Sequence, residues 1–451
     1  MAGSWRVGLV ALTTATMIGA AIVPVLAGER TAEQGVGDTW TRRLSVSSAE
    51  QEGNREASPF SGPAITPDGR FVAFVSRANN LVANDTNMSD DVFVRDRQTG
   101  ETERVSVGIK GEVNVASSQP SISADGRFVA FTSRAPQLVP GDTNRARDAF
   151  VRDRLTGTTE RVSVNSDEQQ ADQGVGAYWP TSMSATGRFV VFTSTSTNLV
   201  SEDTNHTYDV FIRDRSNGTT QRVSVDSNGV EGANYSGPSG LAISGNGQYV
   251  VFGSHANNLA PGDDNKKLDV FLWERLTGTT TRISVSSDEI QGNKSSSVPA
   301  ISAGGRYVSF ASYASNLVAD DTNGASDVFV RDTQTGETTR ISVNSNGVQG
   351  NRGSVESAIS GNGEFVAFES NASNFSGNDV GAVRNSDVFV HELATGMTRR
   401  ISVAIDDQRP DGESFNPVIT ASGALIAFSS EATNLINNDT NGLLDVFVRR
   451  W

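Results

Sequence analysis

The chain has 451 residues, no cysteine and a formal net charge of −15. The missing cysteines exclude disulfides, thiol nucleophiles and Cys-ligated zinc. The acidic balance disfavours nucleic acid and anionic membrane surfaces, leaving cations and cationic groups as the easier partners.

At the N-terminus Arg6 precedes an apolar stretch from Val7 to Leu26, closed by Val25-Leu-Ala27. This reads as a secretory signal over residues 1–27, removed on export to the cell envelope, periplasm or exterior. The stretch is also about as long as a membrane span, so a retained anchor is the alternative. Nothing later is apolar enough to insert, so no membrane insertion is expected once the signal is cleaved. Residues 28–39 read as a short linker and 40–451 as one domain.

That domain is built on a unit of about sixty residues that recurs seven times. Its landmark is Asp-Val-Phe-Val, starting at Asp91, Asp148, Asp209, Asp269, Asp327, Asp387 and Asp445 with small variations. In the first unit, residues 63–66 form a short strand and Pro67-Asp-Gly69 a turn. Residues 70–76 are apolar on both faces, as a strand sandwiched between neighbouring sheets must be. A loop leads to the strand at 91–96. The turn at 97–100 then reverses the chain into residues 102–107, Gly100 supplying the left-handed conformation. Four strands per unit without helical periodicity describe a propeller blade. The seventh unit ends at Trp451 without a fourth strand, and a matching one stands at the other end of the domain as Arg42-Arg-Leu-Ser-Val46. The expected fold is therefore all-β: a seven-bladed propeller of four-stranded antiparallel blades, closed by an N-terminal strand that completes the last blade and leaves no open edge.

The residues Ile122-Ser-Ala-Asp-Gly-Arg-Phe-Val-Ala-Phe131, with Phe150-Val-Arg-Asp153 and Thr156-Gly-Thr158, resemble the TolB-type, WD-like β-propeller repeat over about residues 40–451. The resemblance implies the fold and little about the job, since the repeat occurs in binding proteins, peptidase propellers and polysaccharide-acting enzymes. The separate N-terminal domain of TolB is absent, and seven units stand where TolB has six, so a role in the Tol envelope system is not carried over. With no catalytic domain read beside the repeats, a propeller-gated peptidase is not expected.

The loop before each landmark carries a regular polar set. It reads Asp85, Asn87, Asp91; Asp142, Asn144, Asp148; Asp203, Asn205, Asp209; Asp263, Asn265, Asp269; Asp321, Asn323, Asp327; and Asp439, Asn441, Asp445. The sixth unit departs, with Asp379 and Asp387 and no matching Asn. Such oxygens are candidate calcium ligands; the competing reading is that they cap loop amides in Asx-turns. Asp96, twelve positions from Asp85, lies along an extended strand roughly 16 Å from Asp91 and cannot share an ion with it. Recurrence in nearly every unit favours architecture over a functional site.

Function is therefore sought where the copies disagree. Loops from second to third strand, and from fourth strand to the next unit, are long and share one face, while the turns on the other face are tight. On the long-loop face Tyr178, Trp179, His206, Tyr208, Tyr235 and His255 concentrate in the third and fourth units, a set suited to carbohydrate or peptide recognition or to burial between blades. Only three histidines exist, His206, His255 and His391, and there is no nucleophile elbow, zinc-helix motif or phosphate loop. Two functions stand side by side. One is a monomeric, exported binding module for a protein, peptide or glycan; the alternative is a metal-assisted polysaccharide lyase or hydrolase in the central funnel, for which His206 and His255 are the starting ligands. A structural spacer is the third.

Overall fold

The structure, a computed structural model, describes residues 39–176, 180–375, 386–405 and 407–451. Among them twenty-eight strands form seven antiparallel four-stranded sheets, and no helix occurs. Blade 2 is representative, with strands Ser117–Ile122, Phe128–Ser133, Asp148–Asp153 and Thr158–Arg161 in that spatial order.

Second and third strands are buried on both faces because each sheet is covered by its neighbours. Every blade pairs a phenylalanine from each of these strands, from Phe74–Phe93 at 5.7 Å between ring centres to Phe428–Phe447 at 6.1 Å. The Asp-Gly turns follow from packing as well as from turn chemistry. Gly126 sits at φ 72° against the Phe71 ring of blade 1, where an added Cβ would stand 2.2 Å from the ring. Arginines opening the second strands form ion pairs with the aspartate ending the third strand, as in Arg70–Asp96 at 2.8 Å and Arg306–Asp332 at 2.7 Å. Asp96 thus has its own partner, away from the Asp91 loop.

The ring closes as the sequence predicts. Trp40–Arg43 pairs antiparallel with Asp445–Arg450, with Arg43 opposite Phe447, and the Leu44 amide continues the ladder to Val446 O at 2.7 Å. At the axis, main-chain bonds between turns link the blades: Ala124 to Ala185, Ala185 to Gly245, Ala303 to Gly361, and Ala421 of blade 7 to Pro67 of blade 1 at 3.0 Å.

After each fourth strand the chain forms a small hairpin that reaches onto the next blade. Ser48 Oγ accepts the Thr102 amide at 3.0 Å, and Ser166, Ser227, Ser287 and Ser345 do the same for Thr220, Thr280, Thr338 and Thr398, each at 3.0 Å. These serines occupy the outward hydrogen-bonding groups of the outermost strands and blunt five edges.

Candidate functional site

The recurring Asp-x-Asn loops fold alike. In blade 1 Asn87 Oδ1 accepts the Ser89 amide at 2.8 Å, an Asx-turn. Its Nδ2 donates to Asp91 at 2.9 Å and to Val113 O at 2.6 Å. Asn144, Asn205, Asn323 and Asn441 donate equally to Asp148, Asp209, Asp327 and Asp445. Asn265 keeps the equivalent main-chain bond, to Gly292 O at 2.7 Å.

The cation among these carboxylates belongs to the chain. Arg104 Nη1, from the fourth strand, lies 3.3 Å from Asp85, 3.5 Å from Asp91 and 3.2 Å from Glu112. Arg222 lies 3.4 Å from Asp203, 3.7 Å from Asp209 and 2.6 Å from Glu231. Arg161 and Asp142, Arg282 and Asp263, and Arg340 and Asp321 repeat the arrangement at 3.7–3.8 Å. Across the closure, Arg43 meets Asp439 at 3.6 Å, Asp445 at 3.3 Å, and Glu52. Sequence reasoning selected the acids and missed the arginines, although the signal was present in the recurring Arg-Val-Ser-Val and Arg-Ile-Ser-Val. Among the described residues one group of three acidic or histidine side chains has ligand atoms all within 4.8 Å, namely Asp203, Asp209 and Glu231. Arg222 contacts all three. Millimolar calcium is accordingly expected to leave the thermal melting curve unmoved, because a guanidinium already stands among the oxygens. A rise in Tm with calcium and not with magnesium would restore the ion-binding reading.

Six of the seven cages come in two chemical versions. In blades 2, 4 and 5 a glutamine amide bridges the two aspartates: Gln291 Nε2 donates to Asp263 and Asp269 at 2.9 Å each, and Gln349 to Asp321 and Asp327 at 2.9 Å each. In blades 1, 3 and 7 the residue is Glu112, Glu231 or Glu52. There the facing Asp203 Oδ1 and Asp439 Oδ1 are buried without a hydrogen-bond donor. Burial, only partly offset by Arg104, pushes Asp85 up to about 6. Burial likewise tends to raise Glu112, but the Thr86 hydroxyl and amide, with Arg104, bring it down to about 2. In blade 6 Arg409 takes this position, and Asp387 faces Arg400 at 3.7 Å and Arg409 at 3.6 Å. Asp379 lies outside the described residues.

The axial part of the long-loop face is where the blades differ. Tyr235 and His255 pack with ring centres 4.5 Å apart and planes tilted by 43°. Burial holds the His255 imidazole below its ordinary pKa and favours the neutral ring. In blade 1 the corresponding positions carry Arg77 between Glu56 at 2.9 Å and Asp90 at 3.0 Å. Tyr208 joins the same stretch through its carbonyl, which accepts the Ser236 amide at 2.7 Å. His206 is exposed in its loop at φ 53°, and no group that could hold a metal brings it together with His255 among the described residues. Tyr178 and Trp179 lie outside the described residues. His391 is buried and bonds Thr398 Oγ1 at 2.9 Å, replacing an arginine of other blades.

A further departure went unseen in the sequence. Glu369 occupies the fifth position of the strand Phe365–Ser370, where the other blades place Val75, Thr132, Thr193, Gly253, Ala311 and Ser429. Its carboxylate accepts Ser386 Oγ at 2.6 Å. Burial, reinforced by Glu356 and Glu413, pushes it up to about 7 against the bonds from Ser386 and the Asn416 amide. Glu356 stands at a bulge in the axis-lining strand Ser354–Ile359, between Val355 and Ser357, at φ 39°. Equivalent bulge residues are Gln119, Val298 and Asn416, so Glu356 is the charged one of these four. The column of second strands carried this signal, because a single acid stands among six small or apolar residues.

No protein-family model matches the sequence, and no curated protein is detectably similar to it. Solved structures do share its shape. An oligogalacturonate lyase in complex with manganese matches with TM-score 0.54 and 12% identity, over 92% of this chain and 95% of that one. The β-propeller domain of the Trilobed protease from Pyrococcus furiosus, described as having an open velcro topology, matches with TM-score 0.51 and 11% identity, over 87% and 95%. TolB from Acinetobacter baumannii matches with TM-score 0.42 and 14% identity over 74% of this chain, which spans 63% of that protein's length. At these identities the likeness is one of fold: the chain is a seven-bladed β-propeller, with its last blade completed by the N-terminal strand.

Proposed function

We propose that this protein is an exported propeller that holds a protein, peptide or glycan on its long-loop face, at the mouth of the central channel. The observation that supports it is Glu369, a partly buried carboxylate beside Glu356 and Glu413 at a position that six other blades fill without charge. Ionised acids are costly to bury and are retained where they do something. Together with Tyr235 and His255 in blade 4, this gives the channel mouth an acidic sector and an aromatic sector, a pairing suited to a ligand with a cationic group and an apolar or sugar-ring face. The alternative, a metal-assisted lyase or hydrolase in the funnel, has less support. The acid groups able to share an ion are engaged by arginine, and His255 stands with a tyrosine.

The test is an array of glycans and of lysine- or arginine-containing peptides probed with the intact protein and with Glu369→Gln and Tyr235→Ala. Binding is expected to fall at least tenfold in Glu369→Gln and to survive Gln334→Ala on the tight-turn face. Because folding raises the Glu369 pKa above its unfolded value, its ionisation costs stability as pH climbs from about 4.5 to about 7. Glu369→Gln should therefore melt higher than the parent at pH 8 and equally at pH 4. Equal array profiles for parent and both variants would remove the channel mouth from consideration.

A further inference from the structure

The serine hairpins that blunt the outer strands show what is missing in blade 2. In blades 1, 3 and 5 the hairpin supplies four things to the next edge. Its serine bonds the threonine amide, and a carbonyl accepts that threonine's hydroxyl, as Val46 O does from Thr102 at 2.6 Å. A second carbonyl accepts from a third-strand arginine, as Ser47 O does from Arg95 at 3.1 Å. Two residues beyond the serine, Glu50, Glu168 or Glu289 forms an ion pair with Arg95, Arg213 or Arg331. These glutamates sit at φ 60–62°, a left-handed conformation that costs an ordinary residue roughly 1 kcal/mol and is held by the pair it makes. Where the hairpin has Gly229 or Gly347 instead, the next blade has Trp273 or His391 in place of the arginine. Acid and arginine come and go together.

Blade 2 breaks this rule. The preceding hairpin is short, Gly108 to Gly111, and carries Ile109 and Lys110 without a serine or an acid. Its Ile109 amide bonds Gln137 O at 2.9 Å rather than the outer strand, and the Ile109 side chain is 62% exposed. The arginine is nevertheless present. Among the described residues Arg152 bonds only Thr159 Oγ1, at 3.1 Å, and reaches no carboxylate; the nearby Glu103 is held by Arg154. Thr159 and Arg152 are only partly buried where Thr102, Arg95, Thr220, Arg213, Thr338 and Arg331 are buried. Leu155, in the adjoining turn, is 76% exposed.

We propose that the outer edge of blade 2, along Thr158–Arg161, is a docking site for an extended segment of a partner protein bearing a serine or threonine and, two residues on, a glutamate. The hydroxyl takes the Thr159 amide, two main-chain carbonyls take the Thr159 hydroxyl and Arg152, and the carboxylate pairs with Arg152. Ile109 and Leu155 flank the segment with apolar surface. Charge complementarity selects the occupant: an unmatched, half-buried guanidinium calls for an acid, and five other blades hold the serine-bearing cap in place. The ring's own Ser-x-Glu hairpins are already engaged on blades 1, 3 and 5. This surface is on the rim, apart from the channel mouth, so the two readings stand or fall separately.

The probe is a fluorescein-labelled peptide with the sequence of residues 163–170, titrated against the intact protein and followed by anisotropy. Binding is expected, weakened about tenfold by Arg152→Gln and to the same extent by Glu168→Gln in the peptide, with no further loss when both are combined. Thr159→Pro, which removes the outward amide at an edge that tolerates proline, should abolish binding with an unchanged melting curve. Should that variant fail to fold, replacing residues 108–111 by the sequence of residues 165–170 closes the edge in cis and is expected to abolish binding equally. Absence of binding to the parent protein, or binding indifferent to all these changes, would overturn the proposal. So would a concentration-dependent dimer lost in Thr159→Pro, which would assign the edge to a second copy of the chain.

Discussion

A chain lacking residues 40–46 is expected to lose cooperative unfolding and most of its soluble yield. The deletion removes the outer strand of blade 7 and exposes the Asp445–Arg450 edge to other chains. It also removes Arg43 from between Asp439 and Asp445, each with a side chain only 1% exposed, and the Ser45 hydroxyl from Asp445. Stripping the partner from a buried ion pair costs about 3–5 kcal/mol, a large part of the ~5–15 kcal/mol that holds a typical domain together. The milder variant Arg43→Met keeps the strand and isolates the charge. It should lower stability by the ion-pair amount while preserving size-exclusion behaviour. Circular dichroism melting with size-exclusion chromatography checks both. A truncation that melts like the parent would show that the ring does not depend on this closure.

The second large effect concerns the cage in blade 3. Arg222→Leu is expected to destabilise by about 3–5 kcal/mol, since it leaves Asp203, Asp209 and Glu231 with their charges uncompensated in a buried site. Glu231→Gln should act in the opposite direction, gaining about 1 kcal/mol, because the amide can donate to Asp203 as Gln291 does to Asp263. The pH dependence separates these from packing effects. Burial pushes Asp209 up to about 6 against the Ser224 and Arg222 contacts, above the roughly 3.9 of an unfolded aspartate. The folded state therefore holds its proton more tightly, and stability declines as pH rises from about 4 to about 6. Without Arg222 the pKa rises further. The cost of Arg222→Leu should thus be greatest near pH 8 and shrink below pH 6. Denaturant unfolding at the two pH values measures it; a pH-independent loss would mean that the arginine acts through its packed stem alone.

Much of this protein was legible before its structure. The sixty-residue period, the Asp-Gly and Thr-Gly turns and the apolar second strands set the blade, because each is a local consequence of period, turn conformation and burial. The missing fourth strand after Asp445 and the matching residues before Val46 set the closure. The loop acids were also visible, but their role was not. Asp85, Asn87 and Asp91 have the composition of a calcium loop, and what distinguishes a cage from an ion site is Arg104, more than a dozen residues away along the chain and brought in by strand pairing.

The chain thus dictated the repeat, its count and its ring, since those rest on patterns that recur in every copy and need no knowledge of what lies beside them. Tertiary structure alone decided which charge meets which. It put a guanidinium among the loop carboxylates, gathered Glu356, Glu369 and Glu413 at the channel mouth, and left Arg152 on a rim that serine hairpins cap in five other blades. Those outcomes depend on contacts between strands of one blade and between neighbouring blades. A contact across a blade interface joins residues some fifty positions apart, and a one-dimensional pattern records only that each is present.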